Sequence, residues 1–215
     1  MTNAGQALPR QANGRGLKRV DAVERRRRIL LAASTLFLKK GYEDTSLNDI
    51  IRICGGSKAS IVEHFANKAG LFAAFIETSA LTFSGGLKAI LVTSPRATLQ
   101  AYGEAILRFY LKPEALLAYR GVIAAGPKHP DIARAFYQRG HEHIVTPIAE
   151  QLRRWHALGK IADVDFHSEA DRFTHMLRNG IYEQHLLGFV RKATPREIEQ
   201  QVRGAVRVLL QGLET

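Results

Sequence analysis

SLNDIIRICGGSKASIVEHFANKAGLF, residues 46–72, holds two short amphipathic segments with a pair of glycines between them. Leu47, Ile50, Ile51 and Cys54 recur at i, i+3, i+4 and i+7, the apolar stripe of a short helix laid on a small core. Gly55 and Gly56 close that helix, because glycine accepts a positive φ without a Cβ clash. Ser57 then offers a side-chain oxygen to a backbone N–H and starts a second helix near Lys58. Two short helices joined by a glycine turn make a helix-turn-helix candidate. The second helix opens with Ser57, Lys58, Ala59 and Ser60, residues small or polar enough to enter a major groove, while Lys58 and the free N–H groups of the helix start can meet phosphates. The same pattern also fits an ordinary pair of core helices.

The charge balance bears on that choice. The chain of 215 residues carries a formal net charge of +11, and residues 1–70 hold 13 Lys and Arg against 6 Asp and Glu, a net +7 in the third that contains the glycine turn. A cationic surface favours a polyanion through phosphate neutralisation and counterion release. No apolar run reaches the roughly 18 residues of a membrane span. The N-terminus lacks the apolar segment of a secretory signal, so a cytoplasmic, nucleoid-associated protein with no membrane partner is expected. One cysteine excludes a disulfide framework and a multi-cysteine zinc site; Cys54 reads as a small core residue, with a reactive thiol as the other reading.

Upstream, residues 1–20 are poor in apolar side chains and read as a disordered basic arm. Arg10, Arg15, Lys18 and Arg19 suit either a DNA groove or a solubilising tail. Residues 21–67 form the expected reading head. Its first helix, 21–40, has Ile29, Ala32, Ala33, Leu36 and Phe37 on one face and Arg25, Arg26, Arg27 and Arg28 at its upstream end, as a phosphate grip or a solvated turn. Gly41 stops it. Thr45 and Ser46 precede the next helix, and Ser46 with Asp49 makes a capping-box pattern.

The run from Ile29 to Phe72 resembles the DNA-binding domain of the TetR family of bacterial transcriptional regulators. The resemblance rests on Ile29 to Phe37, Gly41-Tyr42, Thr45-Ser46, Ile50, Ser57-Lys58, His64-Phe65, Lys68 and Leu71, in order and at the expected spacing. It implies that Phe65 plugs the small core, that Lys68 meets phosphate, and that the helix from Lys68 links the head to a larger helical body. The family usually has tyrosine before the His-Phe pair; here Val62 stands there, so a phosphate-touching hydroxyl is lost. Glu63 either accepts from a cytosine amino group or pairs with Lys58 or Arg52. The expected DNA contacts are therefore Arg25, Arg26, Arg28, Thr45, Ser46, Ser57, Lys58, Ala59, Ser60, Val62, Glu63, His64 and Lys68.

Residues 68–215 show helical spacing throughout, and the fold class is all-α: a three-helix DNA-binding domain followed by a larger ligand-binding and dimerisation domain. Asn67 is a candidate N-cap for the linking helix, which ends at Gly85-Gly86 or at Thr93-Ser94-Pro95. Pro113 opens the helix that runs to Ala125, and Gly126-Pro127 breaks it. A longer helical segment from Pro130 to Trp155 is kinked or divided by Pro147. A helix over 168–188 and a last one from Pro195 to Gly212 complete the chain. The stretch from Leu111 to Gly140 is similar to the C-terminal domain of the AefR branch of the family.

The resemblance implies a dimer through the last two long helices, and the stripe of Phe173, Met176, Leu177, Gly180, Ile181, Leu187 and Gly188 suits that role. Asp171, His175, Arg178, Tyr182 and His185 form a polar line that borders a cavity, crosses the dimer, or is solvated. Phe72, Phe75, Tyr102, Phe109, Tyr110, Arg120, Phe136, Arg178 and Tyr182 are the expected ligand residues, for an apolar or aromatic effector with an arginine available to a carboxylate or phenolate. The eight histidines have no metal or catalytic spacing, so no catalytic residue, metal or cofactor is expected. The expected function is a ligand-responsive regulator, a repressor binding a palindromic double-stranded operator as a homodimer. An architectural DNA binder and, further off, a helical enzyme are the alternatives.

Overall fold

The structure is a computed structural model that describes the backbone of residues 13–88, 94–189 and 192–213, and their side chains except those of 13–20 and 79–88. Among the described residues the elements are α1 (Asn13–Lys40), α2 (Leu47–Cys54), α3 (Lys58–Phe65), α4 (Lys68–Lys88), α5 (Pro95–Tyr110) and α6 (Pro113–Ala125). There follow α7 (Pro130–Gly140), a π-helical turn (His141–Val145), α8 (Thr146–Ala157), α9 (Phe166–Leu177), α10 (Ile181–Leu186) and α11 (Pro195–Gly212). No strand occurs among them, as the absence of alternating patterns requires. No described helix is long and apolar enough to cross a membrane.

Two cores organise these helices. Ile29, Ala33, Leu36 and Phe37 of α1 meet Ile50 of α2, Ile61 and Phe65 of α3, and Leu71, Phe72 and Phe75 of α4. Val122 and Ala125 of α6 and Ile132 of α7 belong to this same cluster, so the core under the helix-turn-helix continues into the body across residue 67. The second core joins α5, α8, α9 and α11 around Leu99, Ile106, Ile148, Leu152, Phe173 and Val202. Gly103 allows α5 and α11 to touch: a Cβ there would stand 2.5 Å from Val202 Cγ1.

Four boundaries bear on the sequence reading: the first and last depart from it, and the middle two choose between its alternatives. α1 starts at Asn13, not 21, so residues 13–20 of the expected arm are helical; helix propagation upstream from a formed turn adds a hydrogen bond per residue. Residues 1–12 of the arm, and the side chains of Arg15, Lys18 and Arg19, lie outside the description. α4 continues through Gly85-Gly86 to Lys88, and Ser94 caps α5; Thr93 is outside the described residues. The segment after Pro130 is divided just ahead of Pro147, where a π turn takes up the missing N–H and the ring that would crowd the carbonyl of His143. Finally, the helix expected over 168–188 is broken at Arg178–Gly180. Gly180 has φ +58°, and Gln201 of α11 donates to the carbonyls of Leu177 and Asn179 while accepting from Ile181 N–H at 3.2 Å.

Candidate nucleic-acid interface and ligand cavity

α2 begins with the expected capping box: Asp49 N–H donates to Ser46 Oγ at 3.1 Å and Ser46 N–H to the Asp49 carboxylate at 3.4 Å. The hydrogen bonds from Ser46, then the charges of Lys40 and Arg52, hold the Asp49 carboxyl below its ordinary value. Gly55 (φ +72°) and Gly56 (φ +91°) make the turn, and Ser57 Oγ accepts from Ser60 N–H at 3.3 Å to start α3. α3 buries Ser60, Ile61 and Phe65 and exposes Lys58, Ala59, Val62 and Glu63, positions that share one face of the helix. Val62 is 50% exposed. Ser46 and Ser57 stand exposed at two helix starts beside that face.

The arginines ahead of α1's apolar stripe come to the same end of the head. Arg25 and Arg28 border a hollow of about 280 Å³ with Cys54, Gly55, Gly56 and Ser60. Arg26 lies over the Phe65 ring at 4.9 Å, and His64 is half-buried beside that ring. Arg52 pairs with Asp49 at 2.9 Å and not with Glu63. Burial pushes the Cys54 thiol up, away from the thiolate that redox chemistry needs.

Three of the expected DNA contacts are turned to structural work. Thr45 is buried, its hydroxyl donating to Gly41 O at 2.7 Å to close α1. Ser60 is buried with its hydroxyl 3.4 Å from Ser57 Oγ. Lys68 Nζ donates to the carbonyls of Tyr42 (2.9 Å), Glu43 (3.3 Å) and Thr45 (3.0 Å) and sits 4.3 Å from the Tyr42 ring centroid. Three donors are matched by three acceptors, so Lys68 fastens the α1–α2 loop. Behind it, Asn67 caps α4 as expected, accepting from Gly70 N–H at 2.9 Å. Ala66 (φ +64°) forms a tight turn in which Asn67 N–H donates to Phe65 O at 2.7 Å.

In the body, a cavity of about 670 Å³ is walled by residues of α4, α5, α6, α7, the π turn and α10, with Arg178 at the end of α9. Phe109, Tyr110, Phe136, Arg178 and Tyr182 line it, as expected from sequence. The other expected ligand residues do not. Phe72 and Phe75 pack against Phe37 under the head, Phe37 and Phe72 edge to face with centroids 5.0 Å apart. Tyr102 lies in the second core. Arg120 donates to Leu186 O at 2.8 Å and to His185 O, holding the end of α10. Sequence reasoning missed Tyr119, with Ala115 and Ala118 on the same α6 face; the i, i+3, i+4 step of two alanines and an aromatic was the available signal for a wall with room in front of it.

Of the polar line, Asp171, His175 and Arg178 border a smaller hollow of about 200 Å³, while Arg178 and Tyr182 border the larger one. His185 Nδ1 lies 2.7 Å from the carbonyl of Ile181. Burial raises the pKa of Tyr110 and Tyr182 despite the opposing Arg178 charge, so both hydroxyls remain donors at neutral pH. The stripe assigned to a dimer contact is partly used within the chain: Phe173 and Leu177 are fully buried in the second core, beside Gly103 of α5 and Val202 of α11.

Residues 29–75 match the family described as bacterial regulatory proteins, tetR family, and residues 97–212 match the C-terminal domain of AefR-like transcriptional repressors. The chain belongs to the TetR family. The two matched regions are the N-terminal helix-turn-helix and the helical C-terminal domain of that family. It is similar to the HTH-type transcriptional activator FasR of Mycolicibacterium smegmatis, 32% identical over 107 residues that cover 49% of this chain and 48% of that protein. The chain thus spans about half the length of this relative. Two solved structures of TetR-type fold are also similar. One is a TetR-family transcriptional regulator from Mesorhizobium loti (TM-score 0.80, 22% identity, 90% of this chain and 98% of that one). The other is the flavonoid-responsive regulator FrrA (TM-score 0.72, 23% identity, 89% and 97%).

Proposed function

We propose that the protein is a ligand-controlled repressor that binds a palindromic operator as a homodimer in the cytoplasm and is released by a small apolar or aromatic effector. Residues 21–67 act as the reading head and 68–215 as the effector-binding and dimerising body. Ala59, Val62 and Glu63 enter the major groove; Lys58, Ser46, Ser57, Arg25, Arg26, Arg28 and His64 contact or approach the backbone. The observation that carries effector control is the sharing of α4, α6 and α7 between the two regions. Ala115, Ala118 and Tyr119 face the cavity, while Val122 and Ala125, one to two turns further along α6, belong to the core beneath α3. An occupant that displaces α6 or α7 therefore moves the surface on which the head rests.

Two heads must sit about 34 Å apart to enter successive major grooves, so a small rotation of each is enough to lose one half-site. The exposed Leu187 and Phe189 after α10, and Val208 on α11, are apolar surface that a dimer contact through the C-terminal helices would cover. FrrA is by its name flavonoid-responsive, and an aromatic effector accords with that name. Mobility-shift titration tests the reading: binding is sequence-specific, falls steeply with salt and weakens with one class of small molecule by about 5- to 150-fold, the usual size of such coupling. Equal protection of unrelated sequences would favour an architectural DNA binder. Sedimentation that finds a monomer at micromolar concentration would remove the dimer.

A further inference from the structure

Arg178 stands in a wall shared by the two hollows, its guanidinium 5.1 Å from the Tyr110 ring centroid and 5.9 Å from that of Tyr119. It donates one hydrogen bond, to Tyr110 Oη at 3.2 Å. Among the described residues it has no carboxylate partner. Asp171, two turns back along the same helix, faces His141 at 3.7 Å and His175 at 3.5 Å. The other arginine in the cavity wall, Arg139, is already paired, with Glu77 at 3.4 Å and Glu142 at 2.7 Å. A half-buried guanidinium with most donors unused is costly unless an anion meets it, and its planar fork matches a carboxylate in two parallel hydrogen bonds. Around it the walls are flat and apolar: Tyr119 and Phe136 stand with rings 5.6 Å apart, and Ala115 and Ala118 leave room before them.

We propose that the cavity takes a monoanionic aromatic acid, its carboxylate paired with Arg178 and its ring system laid against Tyr119, Phe136 and the alanine face of α6. The assignment rests on reading the cavity as the effector site. It sets a charge requirement that an apolar effector alone would not.

Calorimetric titration of the full chain with 2-naphthoate, its neutral isostere 2-naphthamide and the aliphatic acid decanoate tests it. The naphthoate binds at least about tenfold more tightly than the amide and than decanoate, a difference of about 1.4 kcal/mol. Arg178→Met erases the preference for acid over amide while changing amide affinity by less than about threefold, and Arg178→Lys retains part of it. Equal binding of acid and amide, tighter binding of decanoate, or no detectable binding of either naphthyl probe overturns the assignment; these comparisons on the unaltered protein stand even where a variant fails to fold. Operator-complex anisotropy in the same titrations separates the two readings. A naphthoate that binds through Arg178 without releasing DNA supports the ligand class and removes effector control. An amide that binds and releases DNA as well as the acid does the reverse.

Discussion

At Lys58 and Lys68, ten residues apart at two helix starts, the same side chain serves different ends. Lys58 is exposed on α3, whereas Lys68 is matched to three loop carbonyls. Lys58→Ala should therefore leave urea unfolding within about 0.5 kcal/mol of the parent, weaken DNA binding to all sequences alike, and flatten the salt dependence. Lys68→Met should lower unfolding free energy by about 1.5–3 kcal/mol, the scale of a hydrogen-bonded charge, and expose the amides of residues 42–45 to exchange. A Lys68→Met protein of unchanged stability that lost DNA binding would restore its phosphate role. Val62, at 50% exposure, occupies the outward face of α3 with Ala59; an apolar contact with a thymine methyl is open to it. Lys58, Ala59, Val62 and Glu63 were legible in the sequence because helical spacing alone gathers them. The Lys68 clamp was not, since its acceptors lie 23 to 26 residues away.

Among the helices, the capped starts of α2 and α3 were legible in the sequence, whereas the start of α1 and the break after α9 were not. Ser46, Ser57, Asp165 and Thr194 each accept a hydrogen bond from the first turn they precede, a contact within three residues that residue type predicts directly. Ser168 hydrogen bonds hold Asp165 below its ordinary pKa, as those of Ser46 do Asp49. Folded carboxyls so lowered contribute stability above the unfolded value of about 3.9 and lose it as pH falls through the folded value. Both caps should thus be intact at neutral pH and fail only in acid, with carboxyl-carbon NMR titrations of Asp49 and Asp165 giving midpoints below about 3.9. A midpoint at or above it would remove the capping contribution. The break in α9–α10 had only Gly180 as its signal, and the apolar stripe runs straight through it. Gly180→Ala should cost about 1–2 kcal/mol in thermal or urea unfolding, because an L-residue is strained at φ +58° and its Cβ would meet Gln201 Oε1 at 3.2 Å.

For the molecule as a whole, the junction at Gly121 is where body meets head. A Cβ there would lie 3.3 Å from Phe72 Cζ and 3.7 Å from Tyr42 Cβ, and His129 at the start of α7 sets its ring 5.9 Å from that of Tyr42. Gly121→Val should press α6 away from α1 and α4 and lower operator affinity about tenfold, an effect of the size of ordinary allosteric coupling, although residue 121 reaches no DNA. Anisotropy titration of the operator measures it; unchanged affinity in a folded variant would show that α6 does not carry the signal. The sequence by itself determined the all-helical class, the helix-turn-helix and the exposed face of its second helix, because apolar period, glycine turns and caps act over a few residues. Only the tertiary structure decided which cations are spent inside the protein, which aromatics are core and which line the cavity, and that α6 serves both. Those outcomes depend on which chain segments, distant in sequence, come within a few ångströms of each other, and that is set by packing all the helices at once.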